Sequence, residues 1–254
     1  MPMAADRLVG RHRHNGDEEG EVTGRTFTVA ALAAAFVALG LACGCAASID
    51  FEPSTYNPLV GQSVLFSVCE SCIKDASYVF EWDLDGDGRY ETETADLTVS
   101  ATFAVEGYVE ITLRAAGSGG DRAIATRALI VGEVPFLARR ELQVQEDGAL
   151  YVSVAVEVNE TVNGLGIIEQ IPPGWQIEIV DSGEMQDFLP GGTLNLLWLD
   201  QPVAGDTCTF SYRLYRGSAW DSPMLVGVIS GFPASRPDEY VTVPLCGEIW
   251  EPEL

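Results

Sequence analysis

The chain has 254 residues, 47% of them hydrophobic: enough for one large domain or two modules of about 100 residues, and too many for global disorder. Four of its 14 basic and five of its 38 acidic residues lie before position 48, leaving ten against 33, a net of −23, in the remainder. A field of that sign repels phosphates and excludes nucleic acid as a partner, while remaining compatible with high salt, divalent cations, a cationic partner or plain solubility.

Residues 1–25 form a polar leader, expected to be cytoplasmic and disordered, and they hold both histidines, His12 and His14. The region beyond therefore lacks the imidazole needed for Ser-His-Asp or Cys-His nucleophilic sites and for His-based zinc sites. Residues 26–47 carry no charge over 22 positions, a length that just crosses a hydrocarbon core of about 30 Å. Arg7, Arg11, Arg13 and Arg25 precede this stretch and acidic residues follow it, so the N-terminus is expected inside and everything after residue 48 outside. Three fates fit: a cleaved signal peptide, an uncleaved signal anchor, or cleavage with lipidation of Cys43 or Cys45. Each of these cysteines follows a small residue, as in bacterial lipoproteins, although Gly40 and Ala42 stand where such sites usually carry Leu. The expected location is membrane-tethered, with extracytoplasmic domains at the cell surface or in the periplasm.

Beyond residue 48 no amphipathic helical pattern occurs, and short β-rich runs alternate with clusters of Gly, Pro, Asp and Asn. Residues 49–133 predict a first module with strands over 63–68, 78–83, 97–103, 107–115 and 123–131. Within it Val109, Ile111 and Leu113 face inward while Glu110, Thr112 and Arg114 face out. Three motifs stand in order: Val60-Gly61-Gln62-Ser63-Val64-Leu65-Phe66, then Tyr78-Val79-Phe80-Glu81-Trp82-Asp83-Leu84-Asp85-Gly86-Asp87-Gly88, then Phe103 to Leu113 with Gly107-Tyr108 leading into Val109-Glu110-Ile111. Together they resemble a PKD domain: its opening strand, its central Y-x-W-D-x-G-D-G signature and its late strand pair. The resemblance implies an immunoglobulin-like sandwich with Trp82 as core anchor, and a spacer or adhesion role. The signature here carries an extra Asp-Gly, and Cys69 and Cys72 replace the usual Asp-Ser-rich turn.

Asp83, Asp85 and Asp87 have the alternate spacing by which carboxylates converge on calcium, but Thr94 occupies the twelfth position, where an EF-hand needs Glu. The family resemblance implies a structural turn, with Asp side chains bonding backbone amides, and calcium is the alternative. No other cofactor is expected.

Pro135 marks a boundary, and residues 136–232 predict a second immunoglobulin-like module with strands over 141–145, 149–158, 166–171, 175–180, 194–199, 207–215 and 225–230. Tyr151 to Val158 alternates as a half-buried strand should. Glu169-Gln170-Ile171-Pro172-Pro173-Gly174-Trp175, followed by Trp198, Gly205 and Tyr212, resembles a repeat that accompanies PKD domains in bacterial and archaeal surface proteins. Residues 233–254 form a C-terminal extension. Outside the apolar span the cysteines number four, and an oxidising compartment suggests disulfides Cys69–Cys72 and Cys208–Cys246.

The predicted class is therefore all-β: two tandem immunoglobulin-like β-sandwiches after an N-terminal transmembrane or signal helix. A glycosidase needs only two carboxylates, but no motif nominates a pair and no G-x-S-x-G occurs, so no catalytic residue is expected. The leading function is a non-catalytic exported structural or interaction protein with an unknown protein or glycan partner. The alternative is a carbohydrate-binding accessory protein, for which Trp175, Trp198, Trp250 and above all Trp220 are candidate platforms.

Overall fold

The computed structural model describes residues 49–69, 78–117, 122–183, 185–216 and 225–249, and every regular element among them is a β-strand. The leader, the 26–47 span with Cys43 and Cys45, and Cys72, Trp220 and Trp250 lie outside the described residues. No helix among the described residues is long and apolar enough to cross a membrane. The expected all-β class holds.

In chain order the strands are β1 (Phe51–Pro53), β2 (Ser63–Val68), β3 (Val79–Asp83), β4 (Thr92–Thr94), β5 (Thr98–Thr102), β6 (Gly107–Ala116), β7 (Arg122–Val131), β8 (Phe136–Val144) and β9 (Leu150–Val158). Then follow β10 (Val162–Gln170), β11 (Trp175–Asp181), β12 (Met185–Phe188), β13 (Thr193–Trp198), β14 (Thr207–Arg216), β15 (Val226–Pro233), β16 (Val241–Pro244) and β17 (Cys246–Ile249). They make a three-stranded sheet β1-β2-β5, a five-stranded sheet β12-β13-β10-β15-β16, and a nine-stranded sheet β11-β14-β9-β8-β17-β7-β6-β3-β4.

The nine-stranded sheet serves two hydrophobic cores, one on each face. At one end the side chains of Trp82, Ile111, Leu113, Leu129 and Val131 meet Phe51, Val64 and Phe66 of the three-stranded sheet. At the other end Phe136, Ala138, Val152, Val154, Val156, Phe210 and Leu214 meet Leu165, Ile167, Leu194, Leu196 and Ile229 of the five-stranded sheet. Strand β7 lies where the two overlap. Its Leu129 and Val131 enter the first core, while Ala128 and Ile130 enter the second. That is why β7 changes from alternating burial to six consecutive buried residues, Thr126 to Val131. A strand covered on one face alternates; one covered on both reads as a continuous buried run.

The junction between the two ends is made by β17, from the segment expected as an extension. It pairs antiparallel with β7 (Gly247 opposite Ala128, Glu248 opposite Arg127) and parallel with β8 (Cys246 opposite Arg139, Gly247 opposite Arg140). Gly247 has φ of 95°, and a Cβ there would lie 2.2 Å from the Arg140 carbonyl oxygen, so only glycine fits this crossing.

The expected Cys208–Cys246 disulfide is not formed. Cys208 lies on β14 and Cys246 on β17, with β9 and β8 between them. Three strand spacings separate them by roughly 14 Å, about twice the Cα–Cα reach of a disulfide. Both are thiols pointed at carbonyls, Cys208 Sγ at Thr209 O (3.8 Å) and Cys246 Sγ at Ala138 O (3.5 Å). Cys69 is half-buried, and its expected partner Cys72 falls outside the described residues.

Candidate functional site

Strand β3 ends on Asp83, and the loop after it is organised around that side chain. The Asp83 carboxylate is buried (4% exposed) and accepts three backbone amides: Asp85 N at 3.3 Å and Gly86 N at 2.7 Å on Oδ1, and Gly88 N at 2.8 Å on Oδ2. Asp85 Oδ1 then accepts Asp87 N (3.2 Å), and Asp87 Oδ1 accepts Arg89 N (2.8 Å). These are the amide-capping bonds expected of an Asp-rich turn.

The same winding brings in a fourth carboxylate. Glu91 Oε2 accepts Leu84 N at 3.4 Å, and one oxygen from each of Asp83, Asp85, Asp87 and Glu91 lies within 4.8 Å of the others. Sequence reasoning tested only the twelfth position of the loop. Glu91 stands at the ninth, where calcium loops also place a ligand, often through water, and that spacing was the available signal. Hard oxygen ligands at this spacing suit a divalent cation of the calcium class.

A second cluster holds β17 in place. Arg127, its side chain 5% exposed, reaches Asp50 at 2.6 Å, Glu248 at 2.8 Å and Glu52 at 3.9 Å, and donates Nε–H to Phe51 O at 3.0 Å. Burial is the largest influence on its pKa and pulls it down, but the neighbouring Tyr56, Asp50 and Glu52 outweigh burial and leave it raised. The Glu248 carboxylate also accepts the Leu142 amide of β8. One buried guanidinium thus ties β1, β7 and β17, and Glu248 carries the tie to β8. Arg139 extends the cluster to Glu52 at 3.4 Å and stacks over Tyr56 at 5.0 Å.

Inside the second core, Arg140 of β8 pairs with Glu169 of β10 across the gap between the sheets, with both side chains 4% exposed or less. Arg140 Nη1 also donates to Leu225 O at 3.2 Å. Tyr212 of β14 adjoins the pair, and its hydroxyl pKa is pushed far up, first by burial and then by the Glu169 charge. Burial likewise pushes the Cys246 thiol up to about 12, so it is neutral and a poor nucleophile near pH 7.

A cleft of about 740 Å³ lies beside the β7–β8 turn and is lined by Asn57, Glu106, Glu133, Asn159, Glu160 and Arg236 among others. Asn57 Nδ2 donates to Ile130 O and Gly132 O, and Arg236 is engaged with Glu239 at 3.0 Å. The Asn57 amide thus ties down the β7–β8 turn, and the Arg236 guanidinium is already paired. The lining contains no Ser, Thr, Cys or His to act as a nucleophile. Of the tryptophans proposed as platforms, Trp198 is buried in the second core and Trp175 is half-buried against it.

No protein-family model and no curated protein matches this chain. Among solved structures, it is similar to a chitinase of Bacillus thuringiensis at 9% identity and a TM-score of 0.36, covering 71% of this chain and 28% of the chitinase. It is similar to a carbohydrate-binding module of the β-sandwich superfamily at 14% identity and 0.30, covering 78% and 97%. It is similar to the collagen adhesin of S. aureus at 9% identity and 0.29, covering 81% and 96%. The chain thus spans little more than a quarter of the chitinase.

Proposed function

We propose that this protein is a non-catalytic, exported, membrane-tethered surface protein that presents a PKD-like sandwich and a second immunoglobulin-like sandwich as one stiff interaction unit. The observation that carries this reading is the shared nine-stranded sheet with a core on each face, closed by β17 and the buried Arg127 cluster. Two modules on a flexible linker would move independently; strands hydrogen-bonded through one sheet cannot. A stiff unit suits a spacer or an adhesion element, because it holds a binding surface at a fixed distance and orientation from its anchor. The lack of histidine beyond residue 14 and of a nucleophile in the cleft beside the β7–β8 turn supports a binding role over a catalytic one.

The test is topological. A tag after residue 254 of the full chain, expressed in a diderm bacterium, is cleaved by added protease once the outer membrane is opened. A tag protected until the inner membrane is lysed overturns the reading.

The Asp83 loop also suits a calcium-class cation, for which Asp85, Asp87 and Glu91 would offer ligand oxygens beside Asp83.

A further inference from the structure

The turn Asn159-Glu160-Thr161 carries the chain from β9 in the nine-stranded sheet to β10 in the five-stranded one. Asn-x-Ser/Thr, with x other than proline, is the acceptor pattern for N-glycosylation. Of the five asparagines only Asn159 meets it. Asn15, Asn163 and Asn195 have Asp17, Leu165 and Leu197 two residues on, and Asn57 is followed by Pro58 and Leu59. Glu157, two residues before Asn159, completes Glu-x-Asn-x-Thr, the longer acceptor form that bacterial transferases read.

Such a pattern also occurs by chance in cores, so position and hydrogen bonding decide. Asn159 is exposed, and its side-chain amide has two hydrogens. One is donated to Val134 O at 3.1 Å, and the second has no partner among the described residues. Asn57, which lines the same cleft, donates both of its hydrogens, to Ile130 O and Gly132 O, each at 2.7 Å. A glycosylated asparagine keeps a single N–H. Asn159 can therefore carry a sugar and retain its Val134 bond, whereas Asn57 would have to give a bond up. Asn159 also borders the cleft of about 740 Å³, a size that holds a drug-sized molecule, so the first sugars find room there. The exposed carboxylates of Glu106 and Glu133 in its lining accept hydrogen bonds from sugar hydroxyls.

We propose that Asn159 is an N-glycosylation acceptor whose glycan starts in this cleft. This rests on the reading of the protein as exported and adds a covalent modification to it. In the transfer, Asn159 Nδ2 bonds to the anomeric carbon of a lipid-linked oligosaccharide pyrophosphate. The bond from that carbon to the pyrophosphate oxygen breaks, Nδ2 gives up one proton, and the lipid pyrophosphate leaves. The backbone amides of Asn159 and Glu160 both donate to Pro135 O, at 2.8 and 3.0 Å, and fix the turn in the folded chain. Transfer thus acts on the newly exported chain, before the turn closes.

The test expresses the full chain, tagged after residue 254, in a diderm bacterium supplied with a bacterial oligosaccharyltransferase and its lipid-linked glycan. Intact mass is the readout. The wild-type chain gains the mass of one glycan, and fragmentation places it on Asn159. Asn159→Gln and Thr161→Ala lose it, while Thr161→Ser, which keeps the hydroxyl, retains it. Glu157→Ala cuts occupancy tenfold or more. A glycan that persists in Asn159→Gln overturns the proposal, and so does an unmodified wild-type chain. Protease treatment of the same cells tells two failures apart. An unmodified chain with an accessible tag sinks the site alone, and one with a protected tag sinks the surface reading with it.

Discussion

Around Trp82 the first core is built largely from aromatic rings, with Phe51 and Phe66 at centroid distances of 5.1 and 6.0 Å, and the ion pair at its edge, Arg127 with Asp50, keeps one partner half exposed. The second core is built from branched aliphatics and admits Arg140 and Glu169, side chains that would each be costly to bury alone. Large rings of fixed shape restrict how two sheets can meet, because few arrangements interlock them. Val, Leu and Ile slide past one another more readily, and a directional contact between β8 and β10 restricts what packing alone leaves open. Both halves thus carry a charge pair between their sheets, but only in the second are both partners fully buried.

The comparison breaks most sharply at its two anchors. Arg140→Ala leaves Glu169 charged and unpaired in the core, and is expected to cost about 3–5 kcal/mol in urea unfolding. Replacing both partners by Met and Leu should restore most of that. Trp82→Ala is expected to cost a similar 3–5 kcal/mol, but through the cavity it leaves, so no second apolar replacement short of the ring itself restores it. If the Met/Leu double variant is as unstable as Arg140→Ala, the pair does more than satisfy itself.

Alkaline pH separates the halves next. Burial holds the Cys246 thiol near 12 in the folded chain, while the unfolded thiol titrates near its ordinary 9.0. Its contribution is fully present below about pH 9 and is lost as pH rises toward 12, by about 1.4 kcal/mol per unit. Cys246→Ala should flatten that part of the stability profile, and an unchanged slope would place the loss elsewhere. The smallest effect belongs to the first half: calcium at ten times its Kd should add about 1.4 kcal/mol over EDTA. Asp87→Asn should remove that increment, and a native melting temperature equal in both buffers contradicts a cation at the loop.

What could be read from the sequence follows from how locally each feature is encoded. The β9 alternation and the Trp82-Asp83 turn are written in neighbouring residues, and both stand where expected. Strand β8 is expected only over 141–145 after a boundary at Pro135, whereas it begins at Phe136 and carries the pattern-breaking Arg139-Arg140. Arg140 is in fact buried, but its partner is 29 residues away. β1, β4, β12, β16 and β17 have three or four residues each, too few to show a period. Glu91 belongs to the Asp cluster through the winding of the loop. Pairing Cys208 with Cys246 counted cysteines where sheet order decides, and two strands stand between them.

The place of β17 has a consequence in time. The strand is synthesised after everything it joins, with 108 residues between Arg140 and Ile249. At about 5–20 residues per second that is roughly 5–20 s of translation. Throughout it β7 and β8 hold opposed, unpaired edges, the surfaces on which strands of a neighbouring nascent chain can add. Release of the final residues of β17, rather than assembly of either core, closes that window.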